Sequence, residues 1–320
     1  MISDWLFVVT GMALLLAGGE ALVRGASGIA LLGRVSASVV GLTIVAAGTS
    51  MPEMVVSVQS SLEGRPGLAL GNAVGSNIFN IGVILGVTAL VQPLRIRGNS
   101  VRLEWPVMLL AAMQVHLLSR DGGLDRLEGA FLLAGMAAFT AYIVWASRVA
   151  GIAAGEGEGM ETASFGKTGT KAWVLNASAV ALGVGLLAGG SSLLVRGAVA
   201  VAASLGISES VIGLTIVAAG TSMPELVTSL VAAWRGKDDI AVANVIGSNI
   251  FNMLGILGTA SLIQPLTTPP EILARDDLWM IGFSVALLPL MKSGLRISRG
   301  EGAALLAAFG LYLAILLGAV

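Results

Sequence analysis

The chain has 320 residues, of which 56% are hydrophobic and only 12% are charged, and its mean hydropathy is +0.90. A soluble domain carries about twice that share of charged residues, so the composition favours an integral membrane protein over a soluble enzyme. The net charge of −1 offers no basic surface for a nucleic acid. Because the chain has no cysteine, disulfides, thiolate catalysis and cysteine-ligated metal sites are excluded.

Charged residues, prolines and glycine clusters divide the chain into ten apolar segments, each near the roughly 20 residues that a membrane-spanning helix needs. A stretch at 149–171 is rich in Gly, Glu and Thr and has no apolar period, which predicts a flexible linker. We therefore predict an all-α integral membrane protein with ten transmembrane helices. The predicted spans are 5–23, 37–62, 67–93, 103–119, 127–147, 173–195, 209–234, 239–265, 277–291 and 301–319.

An internal repeat relates the two halves of the chain. Residues 41–53 recur unchanged at 213–225, and residues 75–80 recur at 247–252. Both matches have the same offset of 172 residues. A constant offset over such a length indicates a duplicated unit rather than chance similarity.

Each copy of the duplicated unit holds five predicted spans, so we expect one five-helix repeat at 1–148 and a second at 172–320. Because five is odd, the second copy enters the membrane in the opposite orientation, which is common in secondary transporters. Most of the 18 Lys and Arg residues then lie on the side of the linker. The positive-inside rule makes that side cytoplasmic and places both termini outside. The two copies of the motif are expected to meet near the middle of the membrane.

Glu53 and Glu225 occupy equivalent positions in the two repeats, inside apolar spans. An ionisable group at the centre of a bilayer costs about 2.5 kcal/mol or more unless it is paired, and it usually marks a functional site. In both repeats the glutamate follows Gly-Thr-Ser-Met-Pro, a motif without a cation. This pattern favours a binding site for an external cation over a structural ion pair.

The residues before each glutamate add further oxygen atoms. A threonine four residues earlier and a serine three residues earlier lie on or near the glutamate's face of a helix. The proline lacks an N–H and breaks the helix, and irregular backbone at membrane depth is tolerated where it lines a cavity. These residues are Thr49, Ser50 and Pro52 in the first repeat and Thr221, Ser222 and Pro224 in the second.

A serine and an asparagine one helical turn apart recur in the second motif, as Ser76 with Asn80 and as Ser248 with Asn252. They offer neutral oxygens to an ion, although hydrogen bonds between helices are an alternative role. Carboxylates, hydroxyls and amide oxygens together suit a hard cation such as Ca²⁺, which takes six to eight oxygen ligands. The two glutamates carry a charge that balances one Ca²⁺ or two Na⁺.

The duplicated motifs resemble the α-repeats of the sodium/calcium exchanger family, in the cation/Ca²⁺ antiporter superfamily. The resemblance is close over 41–94 and 213–266. It implies a prokaryotic-type protein of the cytoplasmic (inner) membrane that exchanges Ca²⁺ for Na⁺ by alternating access. It also implies long first and sixth helices that slide across a core, and four cation sites, one suited to Ca²⁺ and others to Na⁺.

The resemblance further implies that the protein is not an enzyme and needs no cofactor, with Ca²⁺ and Na⁺ as substrates, membrane lipid around it and no obligate protein partner. Some family members have an aspartate at the position of Asn252, and in the potassium-dependent branch that aspartate is linked to K⁺ use. Asn252 therefore argues against K⁺ dependence. The cation ligands that the resemblance implies are the side chains of Thr49, Ser50, Glu53, Ser76, Asn80, Thr221, Ser222, Glu225, Ser248 and Asn252, with the backbone carbonyls of Ala46 and Ala218.

Other functions remain open at the level of sequence. One alternative is an exchanger of H⁺ for Ca²⁺ or another divalent cation, because a carboxylate in apolar surroundings readily takes up a proton. A passive channel usually needs several subunits around an axis. An intramembrane hydrolase would need an HExxH motif or a plausible Ser/His pair, and this sequence has neither. Glu20 and Arg24, one turn apart, predict an interfacial ion pair. Glu20 has no acidic counterpart in the second half, where Ser191 and Ser192 stand.

Overall fold

The computed structural model describes residues 2–154, 169–205 and 218–318, and these are almost entirely helical. The helices are α1 (Ile2–Gly33), α2 (Ala37–Thr49), α3 (Met51–Leu62), α4 (Pro66–Val91), α5 (Ser100–Asp121), α6 (Arg126–Ala154), α7 (Thr170–Ser204), α8 (Ala218–Thr221), α9 (Met223–Trp234), α10 (Asp238–Ile263), α11 (Asp277–Lys292) and α12 (Arg299–Leu316). Short π-helical turns lie within or before several helices, at Gly41–Val45, Asn80–Leu85, Ser100–Glu104, Phe251–Ile256 and Ile272–Asp276.

The helices confirm the predicted all-α membrane class. Within the described ranges, seven helices are long and apolar enough to cross a membrane, or eight if α2 and α3 count as one bent span. Helix α11 follows the π-helical turn Ile272–Asp276 without a break, and it is not among these seven. The predicted span 209–234 begins outside the described residues. Most of the predicted linker at 149–171 also lies outside them. The number of ten spans therefore stays a prediction.

Glycines bring α1 and α7 into close contact. Helices α1 and α7 have 32 and 35 residues, so they are longer than the predicted spans 5–23 and 173–195. A Cβ atom on Gly11 would lie 2.6 Å from the backbone nitrogen of Leu194, and one on Gly183 would lie 2.6 Å from that of Leu22. Gly18 packs against Gly183, so the contacts run in opposite directions along the two helices. Such close approach of backbones is how membrane helices pack without a hydrophobic driving force.

Two short antiparallel strand pairs join the halves of the chain. The strands are β1 (Leu94–Arg95), β2 (Gly123–Leu124), β3 (Leu266–Thr267) and β4 (Arg296–Ile297), and β1 pairs with β4 while β2 pairs with β3. Helix α10 forms the centre of the protein, since 94% of its most apolar stretch is buried, and the equivalent figure for α4 is 67%. The polar motifs on these two helices are thereby held inside the bundle.

The predicted helix breaks occur at equivalent residues of the two repeats. Helices α2 and α3 meet at Ser50 with a bend of 49°, and α8 and α9 meet at Ser222. The backbone angles are nearly the same, with φ −83° and ψ 10° at Ser50 and φ −89° and ψ 6° at Ser222. In each case a proline, Pro52 or Pro224, stands in the first turn of the following helix, where its missing N–H costs nothing.

Candidate cation site

The two motif glutamates lie deep inside the protein. Glu53 is in the first turn of α3 and Glu225 is in the first turn of α9, and each residue is only 1% exposed. The amino-terminal end of a helix carries a partial positive charge, which stabilises a carboxylate in this position. The helix breaks thus supply both the position of each glutamate and part of the field that holds it.

Each glutamate is held by a serine from the other repeat. The hydroxyl of Ser50 donates a hydrogen bond of 2.8 Å to Oε1 of Glu225, and the hydroxyl of Ser222 donates one of 3.0 Å to Oε1 of Glu53. All four residues are buried. The two copies of the motif therefore meet, and the site that they form belongs to both halves of the chain.

Several buried oxygens of the two motifs have no hydrogen-bond partner among the described residues. They include Oε2 of Glu53, Oε2 of Glu225, Oδ1 of Asn80 and Oδ1 of Asn252. A buried polar atom left unsatisfied costs about 1–3 kcal/mol, and more if it is charged. Four acceptors without a donor are the arrangement expected where a cation binds.

Two asparagine pairs orient these amide oxygens. Nδ2 of Asn80 donates to Oδ1 of Asn249 over 2.9 Å, and Nδ2 of Asn252 donates to Oδ1 of Asn77 over 3.0 Å. Since the amide nitrogens are occupied, the free atom of Asn80 and of Asn252 is the oxygen. Asn77 and Asn249 thus make the hydrogen bonds between helices that are typical of membrane bundles.

A further pair of asparagines supports the backbone at the glutamates. Nδ2 of Asn72 lies 2.9 Å from Oγ of Ser57 and 3.2 Å from the carbonyl oxygen of Glu53. The equivalent Asn244 donates to Ser229 over 3.0 Å. Ser57 and Ser229 are not among the residues predicted from the sequence. Their recurrence at the offset of 172 was the signal that could have found them.

The hydroxyl of Thr49 and the carbonyl of Ala46 already have partners. Oγ1 of Thr49 lies 3.1 Å from the carbonyl oxygen of Val45 and 3.2 Å from that of Ala46. The Ala46 carbonyl also accepts a bond of 3.0 Å from the backbone N–H of Ser50. A cation at this carbonyl would have to share it with these donors.

The remaining predicted ligands lie on the same helices but differ in surroundings. Ser76 and Ser248 are buried one turn before Asn80 and Asn252. Thr221 is half-buried, whereas its equivalent Thr49 is fully buried. Ala218 is the first residue of α8. In the described part of the chain no group of three or more Asp, Glu or His residues is arranged to hold a metal ion, so the site offers two carboxylates with neutral oxygens.

The cover over the site differs between the two repeats. Val227 on α9 is 5% exposed, while the equivalent Val55 on α3 is 61% exposed. Helix α1 makes the difference, because a Cβ atom on its Gly19 would lie 3.3 Å from Cγ1 of Val227. Asn244 is likewise fully buried and its equivalent Asn72 only partly so. One side of the site is therefore closed by α1, and the other side is less covered.

A buried site with two carboxylates between duplicated halves of a membrane protein defines a membrane transporter for cations. The comparisons with known proteins identify the family. The family model described as sodium/calcium exchanger protein matches residues 3–145 and 175–318. The chain belongs to the sodium/calcium exchanger family, whose members are transporters.

Similar proteins match nearly the whole chain. CaxA of Alkalimonas amylolytica is 40% identical over 313 residues, which are 97% of each chain. The sodium/calcium exchanger MaX1 of Methanosarcina acetivorans is 31% identical and covers 98% of each chain. Among solved structures, the sodium-calcium exchanger NCX_Mj soaked without Na⁺ and Ca²⁺ matches with a TM-score of 0.83 at 31% identity, over 98% of this chain and 99% of that chain.

Proposed function

We propose that the protein is a secondary antiporter that exchanges Ca²⁺ for Na⁺ by alternating access. The observation that carries this proposal is the pair of buried glutamates, Glu53 and Glu225, each with an unpaired carboxylate oxygen. One Ca²⁺ or two Na⁺ neutralise the two carboxylates. Because an uncompensated buried charge is costly, the loaded site changes its access more easily than the empty site. That difference couples the flux of one ion to the flux of the other.

The proposed ligands are those that the two motifs supply. Oxygens of Glu53, Glu225, Asn80 and Asn252 form the centre, supported by their lack of other partners. The hydroxyls of Thr49, Ser50, Ser76, Thr221, Ser222 and Ser248 and the carbonyls of Ala46 and Ala218 complete the set. The amide at Asn252, in place of a third carboxylate, argues against K⁺ dependence.

The proposed topology is ten helices in two inverted five-helix repeats, with the termini outside and the linker in the cytoplasm of a prokaryotic cell. The antiparallel packing of α1 on α7 supports the inversion, since the contact of Gly11 with Leu194 has its repeat equivalent in the contact of Gly183 with Leu22. In this orientation α1 closes the cytoplasmic side of the site. The exposed Val55 then marks the side from which external ions arrive.

The names of MaX1 and NCX_Mj support Na⁺ as the coupling ion, because both are called sodium/calcium exchangers. The second candidate is H⁺/Ca²⁺ exchange. It is favoured by the unpaired Oε2 atoms of Glu53 and Glu225, each of which can take a proton when no cation is bound.

Reconstituted vesicles distinguish the two functions. Vesicles loaded with Na⁺ are diluted into Na⁺-free buffer that contains radioactive Ca²⁺, while buffer and a protonophore hold the pH equal on both sides. Na⁺/Ca²⁺ exchange predicts Ca²⁺ uptake that depends on the Na⁺ gradient and stops when external Na⁺ equals internal Na⁺. Uptake that follows only a pH gradient would show H⁺/Ca²⁺ exchange instead.

A further inference from the structure

We propose that an ion pair between Glu20 on α1 and Arg235 at the end of α9 is a latch that favours the state in which α1 covers α9. This inference rests on the proposed alternating access. Nε of Arg235 lies 3.0 Å from Oε2 of Glu20, and one of its terminal nitrogens lies 2.7 Å from Oε1. Such a two-point contact of a guanidinium with a carboxylate is stronger and more directional than a single bond.

The ion pair lies at the edge of the contact that closes the site. Gly19, next to Glu20, packs over Val227 and Val231 of α9, and a Cβ atom on Gly19 would lie 3.3 Å and 3.5 Å from their methyl carbons. Arg235 is the capping residue at the carboxyl end of the same helix. Helix α1 therefore cannot leave α9 without separating Glu20 from Arg235.

The equivalent positions of the duplicated unit, which lie within the described residues, do not form this ion pair. The residues that correspond to Glu20 and Arg235 are Ser192 and Glu63, a serine and an acid. Glu63 accepts a hydrogen bond of 2.8 Å from Nε2 of Gln59 on its own helix. Ser191, next to Ser192, donates to the carbonyl of Gly220 at the break between α8 and α9 rather than to α3.

This difference gives the transporter a built-in preference between its two states. In the opposite state α7 covers α3 as α1 now covers α9, and the positions of Glu20 and Arg235 are then taken by Ser192 and Glu63, which cannot form this ion pair. The latch therefore adds stability to one state only, and a contact made in one state is what shifts an equilibrium. Since the side chains of Glu20 and Arg235 are 27% and 54% exposed, the expected shift is about two- to fivefold, in line with exposed ion pairs.

Cysteine labelling tests the latch, because the chain contains no cysteine of its own. Gln59→Cys on the exposed face of α3 reports the uncovered side, and its equivalent Val231→Cys reports the side beneath Gly19. Each reporter is combined with Glu20→Gln, Arg235→Gln or both changes. The rate of reaction with a membrane-impermeant maleimide is then measured in vesicles of either orientation, without transported cations. Arg24→Gln is the matched control, since Arg24 pairs with Glu20 within α1 and cannot bridge the two helices.

The latch predicts that Glu20→Gln and Arg235→Gln each raise labelling at residue 231 and lower it at residue 59 by about two- to fivefold. The double change should equal either single change, because both remove the same contact. Arg24→Gln leaves the contact between Glu20 and Arg235 in place, so it should not raise labelling at residue 231. Unaltered labelling in both single variants would overturn the latch. The labelling does not depend on the coupling ion, so a failure of Na⁺-driven Ca²⁺ uptake with shifted labelling would count against the proposed function and leave the latch standing.

Discussion

Ser50 and Glu225 are 175 residues apart in the chain and are joined by a buried hydrogen bond of 2.8 Å. The equivalent bond in the other direction joins Ser222 to Glu53 over 3.0 Å. Each repeat thus supplies one carboxylate and the donor that holds the other. Neither repeat contains a complete site, so the site forms only where the two repeats face each other.

Removing the charge of either glutamate should abolish exchange. Glu53→Gln and Glu225→Gln keep the shape of the side chain but leave a single carboxylate, which cannot neutralise Ca²⁺. We expect the rate of Na⁺-dependent Ca²⁺ uptake in vesicles to fall by about 100-fold or more, the loss expected when a charged partner of a buried ion disappears. Glu63→Gln, at an exposed glutamate, is the control and should transport normally. Transport near the wild-type rate in either site variant would contradict the proposed site.

The serine–glutamate bonds should show coupling between repeats. Ser50→Ala removes a bond to a charged acceptor, which contributes about 1.5–3 kcal/mol, so Ca²⁺ affinity should fall by about 10- to 150-fold. In a double-mutant cycle, Ser50→Ala should have a much smaller effect when Glu225 is already Gln. The matched cycle with Glu53→Gln should be closer to additive, because Ser50 makes no side-chain bond to Glu53 that the structure shows. Equal coupling in the two cycles would contradict the crossed arrangement.

Changing Asn252 to aspartate should alter cation selection. The amide of Asn252 now donates to Oδ1 of Asn77 over 3.0 Å and leaves its own oxygen free. An aspartate cannot donate, and it adds a third negative charge. We expect Asn252→Asp to change the dependence of Ca²⁺ uptake on Na⁺ and K⁺. Identical Na⁺ and K⁺ titrations for the variant and the wild type would show that Asn252 is not a ligand.

The contact between α1 and α7 should tolerate no side chain at Gly183. A Cβ atom there would lie 2.6 Å from the backbone of Leu22, whereas one on Gly185 in the same helix meets nothing within 4 Å. Gly183→Ala should lower the free energy of unfolding by about 1–3 kcal/mol, and Gly185→Ala should be neutral or slightly stabilising because alanine favours the helix. Thermal unfolding in detergent compares the two variants. Equal melting temperatures would mean that this contact does not hold α1 against α7.

The repeat and its chemistry could be predicted from the sequence, because duplication makes each functional residue visible twice. The helix breaks at Ser50 and Ser222 follow from the prolines that come two residues later. The meeting of the two motifs also followed from the odd number of spans in each predicted repeat. These features depend on local residue chemistry or on counting, which a single sequence contains.

Contacts that break the symmetry of the repeats could not be predicted. Nothing in the sequence shows that Arg235 meets Glu20, or that the buried Asp277 lies 3.3 Å from Nδ1 of His116. The difference in exposure between Val55 and Val227 has the same origin, since it depends on the packing of α1 over α9. Such contacts arise from how rigid helices dock, and periodicity within one helix carries no information about its neighbour.

The central claim is that Glu53 and Glu225 together bind one cation between the repeats. Equilibrium binding of radioactive Ca²⁺ to the purified protein, with and without Na⁺, tests it most directly. We expect tight Ca²⁺ binding that Na⁺ displaces and that is lost in Glu53→Gln and in Glu225→Gln alike. Ca²⁺ binding of wild-type affinity in either variant would contradict it.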